Sequence, residues 1–145
     1  METDKKSVTL IIAWVILLIL GLLMVLGGAE SMIFGFRGGS ETIEGTSFDA
    51  LAQINPELPK ALRARRVTAA SYALTCGLLV SWIAVTAFRK RQKWAWYALL
   101  CSVGLGSVLS ILRVPLMDYR PGMQVSGITL IVLLIALAIS YRDFK

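Results

Sequence analysis

The chain has no histidine and only two cysteines, Cys76 and Cys101. Without histidine the usual zinc, haem and His-dependent catalytic sites cannot be built, so most cofactor chemistry is excluded and no cofactor or metal is expected. Charge is scarce too, at 17% of 145 residues, and none of it falls inside the long apolar stretches. That excludes proton-coupled pumping through a buried carboxylate, which needs an ionisable group within the membrane. The cysteines form no C-x-x-C pair and lie in different apolar stretches. Disulfide exchange is therefore disfavoured, and both are expected to be small core packers.

What is present is apolar: 57% of the residues are hydrophobic and the mean hydropathy is +0.72. Such a composition belongs to membrane proteins. Four stretches can cross about 30 Å of hydrocarbon at about 1.5 Å per residue: Val8 to Gly27, Val67 to Phe88, Trp94 to Leu112, and Met123 to Tyr141. The first has features of a signal peptide, with Lys5 and Lys6 ahead of it and Gly27-Gly28-Ala29 behind. Its apolar run exceeds the roughly 7–15 residues of a signal peptide, so it reads as a retained span. The expected fold is an all-α, integral membrane, four-helix up-and-down bundle forming one domain.

The net charge of +6 does not point to nucleic acid, because most cations sit at the ends of apolar runs, where anionic lipid is the natural partner. Arg89-Lys90-Arg91-Gln92-Lys93 places four cations in five residues between two spans, and such a loop is expected in the cytoplasm. Both termini then share its side, with Lys5, Lys6, Arg142 and Lys145. Arg37, Lys60, Arg63, Arg65, Arg66, Arg113 and Arg120 fall on the other side, more thinly spread. Phe88, Trp94, Trp96, Tyr97, Tyr141 and Phe144 cluster at the proposed inner interface, as an aromatic belt would.

The segment from Gly28 to Arg66 is longer than a bundle loop needs and is expected to be a partly helical extracytoplasmic loop. Gly35 to Ser40 reads as glycine-rich turn. A hydroxyl cap at Thr46-Ser47, followed by Phe48, Leu51 and Ala52, predicts a short amphipathic helix that Pro56 ends. Pro59 suits the first turn of a further helix running to about Phe88 and projecting beyond the membrane. Pro115 and Pro121 bracket the tight connection between the third and fourth spans.

Three groups of residues carry whatever chemistry there is. At 100° per residue, Ser102, Gly106 and Ser110 share a face of the third span that suits close helix packing, and Arg113 continues it. Arg113 has three readings: snorkelling to phosphates, an ion pair with Glu30 or Asp118, or an anion site. On the second span Thr68, Ser71, Tyr72 and Thr75 fall in one sector, with Leu79 and Trp82 below them and Gln124 on the fourth span at a similar level. They outline an outward-opening cleft, unless the hydroxyls simply bond carbonyls of their own or a neighbouring helix.

Phe88 to Leu100, with its basic loop followed by Trp94-Ala95-Trp96-Tyr97-Ala98-Leu99, resembles the basic loop and W-A-W-[WY]-A-L motif of many small, uncharacterised prokaryotic four-span membrane proteins. The similarity extends loosely upstream through Asn55-Pro56-Glu57-Leu58 and the second span. It implies four spans and no activity.

The expectation is a non-enzymatic, multi-pass cell-membrane protein, an accessory or structural subunit of a larger membrane complex, with membrane lipids, other membrane subunits or itself as partners and no nucleic acid. The alternative is a small binder or carrier of a lipid-like or anionic molecule in the outer cleft. A membrane enzyme using Glu30 or Asp118 as general acid or base is a third class, with no partner for either fixed by the sequence.

Overall fold

The computed structural model describes residues 8–37, 42–43, 45–117 and 122–145. They are almost entirely helical. Helix α1 spans Val8–Arg37, α2 Phe48–Ile54, α3 Leu58–Phe88, α4 Lys93–Met117 and α5 Met123–Phe144. A two-stranded antiparallel hairpin, β1 (Thr42–Ile43) and β2 (Thr46–Ser47), precedes α2. Its turn uses Gly45 at φ +79°, a backbone conformation that costs glycine little. All four helices other than α2 are long and apolar enough to cross a membrane. Only 22–28% of the most apolar window of each is buried within the chain. Most of that apolar surface therefore faces outward, which water would penalise and hydrocarbon would not.

The first compact unit comprises residues up to Leu22 together with Leu79 to Lys145. Its core is one apolar cluster drawn from four helices: Leu10, Ala13, Leu17 and Leu20 of α1, Val80, Ala84, Ala87 and Phe88 of α3, Ala95, Leu99 and Val103 of α4, and Leu133, Ala136, Leu137 and Phe144 of α5. Spacings of three, four and seven in α1 and α5 put these side chains on one stripe of each helix. Helix α4 departs from that rule. Besides Gly104, its buried positions Ala95, Leu99, Val103 and Ser107 are each four apart, a spacing that would drift by about 120° around a straight α-helix. The stretch Leu100–Gly104 is π-helical, and its wider turn keeps positions four apart on the same side. A second π turn, Ala84–Phe88, ends α3.

The second unit, Leu23 to Leu78, holds the rest of α1, the hairpin, α2 and most of α3. Here α1 and α3 approach through glycine. A Cβ on Gly28 would stand 2.8 Å from Leu74 N and 3.0 Å from Ala70 O, so only a hydrogen fits between the two backbones. One heptad on, a Cβ on Gly35 would meet the Val67 methyl at 2.6 Å. Ser47 caps α2 by accepting from Ala50 N at 3.2 Å. Arg63 covers the buried Phe48 ring at 5.0 Å, tying α2 to α3.

Two boundaries and the burial of the cysteines differ from the sequence reading. Helix α1 runs on to Arg37, so Gly35 to Arg37 are helical, while residues 38–40 lie outside the described set. A glycine weakens a helix by only about 1 kcal/mol, and here the packing of α1 against α3 requires small residues. Pro115 lies inside α4, which continues to Met117 rather than ending at the proline. Pro121 falls outside the described residues. The cysteines are not core packers: both are free thiols on exposed helix surface.

Candidate functional site

The residues singled out from sequence divide between the two units. In the second unit, Thr68, Ser71, Tyr72 and Thr75 follow one another along α3, and Glu30 is an exposed residue of α1. The hydroxyls turn back on their own helix: Thr68 Oγ1 donates to Ala64 O at 3.0 Å, Ser71 Oγ to Thr68 O at 2.8 Å, and Thr75 Oγ1 to Ser71 O at 2.9 Å. Such bonds satisfy the polar groups without a ligand. Tyr72 is 69% exposed. With Ala64, Arg65, Thr68 and Ala69 it lines a hollow of about 430 Å³, and every lining residue is exposed. The hollow is thus an open depression on the outer surface of α3, with Arg65 one turn before Thr68 and Ala69, and Tyr72 one turn after them. Ser71 and Thr75 do not line it. Leu79 and Trp82, expected as the floor of a cleft, are themselves exposed.

In the first unit, Arg113 is half-buried on the last turns of α4. Its guanidinium lies against the turn into α5, 3.5 Å from where a Cβ on Gly122 would stand. Gly122 has φ +81°, so its backbone favours the absence of a side chain. Arg113 thereby lies beside Gly122, the residue before α5. Gln124 is exposed at the start of α5, and Asp118 lies outside the described residues.

The face Ser102, Gly106, Ser110 is the clearest correction. A Cβ on Gly106 would meet nothing within 4 Å, and Ser102 is exposed. The buried glycine of α4 is Gly104, whose added Cβ would touch Leu133 and Leu100 side chains at 3.7 and 3.8 Å. Small residues permit close approach but do not say that a helix of the same chain makes it. Within the chain, the larger Leu99, Val103, Leu133 and Leu137 fill the core instead. Ser102 Oγ and Ser110 Oγ donate to Ala98 O and Gly106 O at 2.6 and 2.9 Å, leaving a smooth outward stripe.

Two features escaped the sequence reading. The close approach of α1 and α3 at Gly28 and Gly35 was signalled by Gly21, Gly28 and Gly35 at heptad spacing, all three buried. Arg66 bonds Ser31 at 3.2 Å and lies 5.9 Å from the Phe34 ring centroid, a link no local pattern announces. Among the described residues no group of three or more Cys, Asp or Glu side chains is placed to hold a metal ion.

The fold defines a class: an all-α protein with four helices fit to cross a membrane. Compared with protein-family models, curated proteins and solved structures, the chain matches none.

Proposed function

We propose that this chain is a non-enzymatic, multi-pass membrane protein that serves as an accessory or structural subunit by packing against another membrane protein. The observation that carries the reading is the stripe Ser102, Gly106, Ser110: its residues are small, its hydroxyls bond their own helix, Ser102 is exposed, and a Cβ on Gly106 would meet no described atom within 4 Å. In a bilayer, helices associate through such stripes because lipid chains fill them poorly. In this reading the ends of the chain and the Arg89–Lys93 turn face the cytoplasm, and the hairpin and α2 lie outside. At about 1.5 Å per residue, the 30 residues of α1 and 31 of α3 exceed a 30 Å core by about 15 Å, consistent with both helices extending into the outer loop.

The test is native-gel migration and lipid-bilayer crosslinking of the Gly106→Leu variant beside the unaltered protein in its own membrane. Gly106→Leu is expected to leave the chain folded while releasing it from a larger assembly. Migration of the unaltered chain as an isolated monomer would count against a subunit role.

A second reading, a binder of lipid-like or anionic molecules, is favoured by the hollow beside Arg65 and Tyr72. A cation above an apolar depression suits a phosphate with an acyl chain beneath it. Ala69→Leu, which fills the depression, would then abolish stabilisation by the bound molecule without unfolding the helix.

A further inference from the structure

At one end of the first unit, side-chain contacts gather three separate parts of the chain. Lys93 Nζ donates to the backbone oxygen of Lys145 at 2.9 Å, and Lys145 Nζ lies 5.5 Å from the Tyr141 ring centroid. Trp96 stands 6.2 Å from Tyr141 and donates through Nε1 to Leu137 O at 3.1 Å. Thr9 Oγ1 donates to Asp143 Oδ2 at 2.9 Å, and Arg89 lies 5.6 Å from the Trp14 ring centroid. The start of α1, the turn after α3 and the last residues of α5 are thereby held together.

The turn itself is rigid. Backbone bonds run from Arg89 N to Ala84 O, Lys90 N to Ala87 O, Arg91 N to Phe88 O and Gln92 N to Ala87 O, all between 2.9 and 3.2 Å. Arg91 is held at φ +58°, the left-handed conformation that closes a helix end. Six cations stand on this platform: Arg89, Lys90, Arg91, Lys93, Arg142 and Lys145. Asp143 carries the one side-chain carboxylate among these residues, and it is engaged by Thr9. The side chains of Lys90 and Arg142 are exposed.

We infer that this end is a preorganised binding surface for the phosphodiester headgroups of anionic phospholipids. The inference rests on the membrane-spanning reading but not on the subunit role. Charge alone would equally attract an acidic protein. The rings decide for lipid: Trp94, Tyr97 and Tyr141 are 55%, 62% and 53% exposed around the cations, and amphipathic rings beside bare cations suit the zone where headgroups meet hydrocarbon. Because the turn and its Lys93 and Arg89 anchors are fixed before lipid arrives, little side-chain ordering is left to oppose binding. Attraction between exposed cations and phosphodiesters is screened by salt, so binding should weaken as ionic strength rises.

The experiment reconstitutes the full chain in phosphatidylcholine bilayers and measures quenching of its tryptophans by brominated phosphatidylglycerol against brominated phosphatidylcholine. Trp14, Trp94 and Trp96 lie within the cluster and report directly on its lipids. A preference for phosphatidylglycerol of tenfold or more is expected, falling as salt rises. Removing surface cations costs roughly fivefold each, so Lys90→Gln with Arg142→Gln should lower the preference about 25-fold, or to none. Lys90→Arg with Arg142→Lys should keep it. Equal quenching by the two lipids overturns the inference, as does displacement of phosphatidylglycerol by a polyglutamate peptide, which would make an acidic protein the occupant. Failure of the chain to incorporate into phosphatidylcholine at all would overturn the membrane reading instead.

Discussion

The contact at Gly28 sets up a sharp stability experiment. A Cβ there would stand 2.8 Å from Leu74 N, 3.0 Å from Ala70 O and 3.1 Å from Leu74 Cα. All three obstacles are backbone, so no side chain can rotate away and the helices must part by several tenths of an ångström. That forfeits dispersion contacts along the whole approach, which in lipid are the main attraction between helices. Overpacking of this kind costs about 1–3 kcal/mol. The neighbour Gly27 would add a Cβ into open space, so Gly27→Ala should be neutral or gain up to about 1 kcal/mol of helix propensity. Gly35→Ala should fall between them, because its obstacle is a methyl of Val67 at 2.6 Å. That methyl can yield, although a β-branched side chain in a helix has few other rotamers. Reversible unfolding in mixed micelles, followed by fluorescence of the four tryptophans, would rank the variants. The expected order of stability is Gly27→Ala, then Gly35→Ala, then Gly28→Ala, with roughly 2 kcal/mol or more between the extremes. Values for Gly27→Ala and Gly28→Ala within about 0.5 kcal/mol of each other, the size of an ordinary surface effect, would refute the close approach.

In α4, Gly104→Leu should cost about 1–3 kcal/mol by forcing side chain onto Leu133, whereas Gly106→Leu should leave the melt of the isolated chain unchanged; equal losses would undo the assignment of the buried face. Trp96→Phe removes the indole donor to Leu137 O and should cost about 1 kcal/mol, read in the same unfolding assay. At Arg91, Ile and Gly both remove the guanidinium but differ in tolerance for φ +58°. Arg91→Ile should therefore be about 1–2 kcal/mol less stable than Arg91→Gly, and equal stabilities would mean that the turn relaxes.

Four apolar stretches were legible because hydropathy reports length, and the helices fit to cross a membrane fall on those four segments. The short helix after Ser47 and the start of α3 beside Pro59 were legible because caps and proline act locally. What could not be read was which side of each span turns inward. In a soluble helix the polar side marks the outside, but a membrane helix is apolar all round, so Gly104 and Gly106 look alike until Leu133 is known to sit beside one of them. The π turn at Leu100–Gly104 compounds this by shifting the angular count on which the Ser102, Gly106, Ser110 face was judged. The predicted cleft suffered in the same way: Thr68 and Tyr72 do share a hollow, yet it is open and on the outer surface of α3. The end of α1 was missed because Gly27, Gly28 and Glu30 look like a helix stop in sequence, while in three dimensions Gly28 and Gly35 are contact points for α3.

The most direct test of the membrane account is accessibility on either side of the bilayer. In a background with Cys76 and Cys101 replaced by serine, single cysteines would be placed at Gln53 in α2 and at Lys90 in the turn after α3, both exposed positions, and intact cells treated with a membrane-impermeant maleimide. The account predicts that Gln53→Cys reacts in intact cells and Lys90→Cys reacts only after lysis. Labelling of both in intact cells, or of neither, would contradict a chain crossing the membrane between them, and the reverse pattern would invert its orientation.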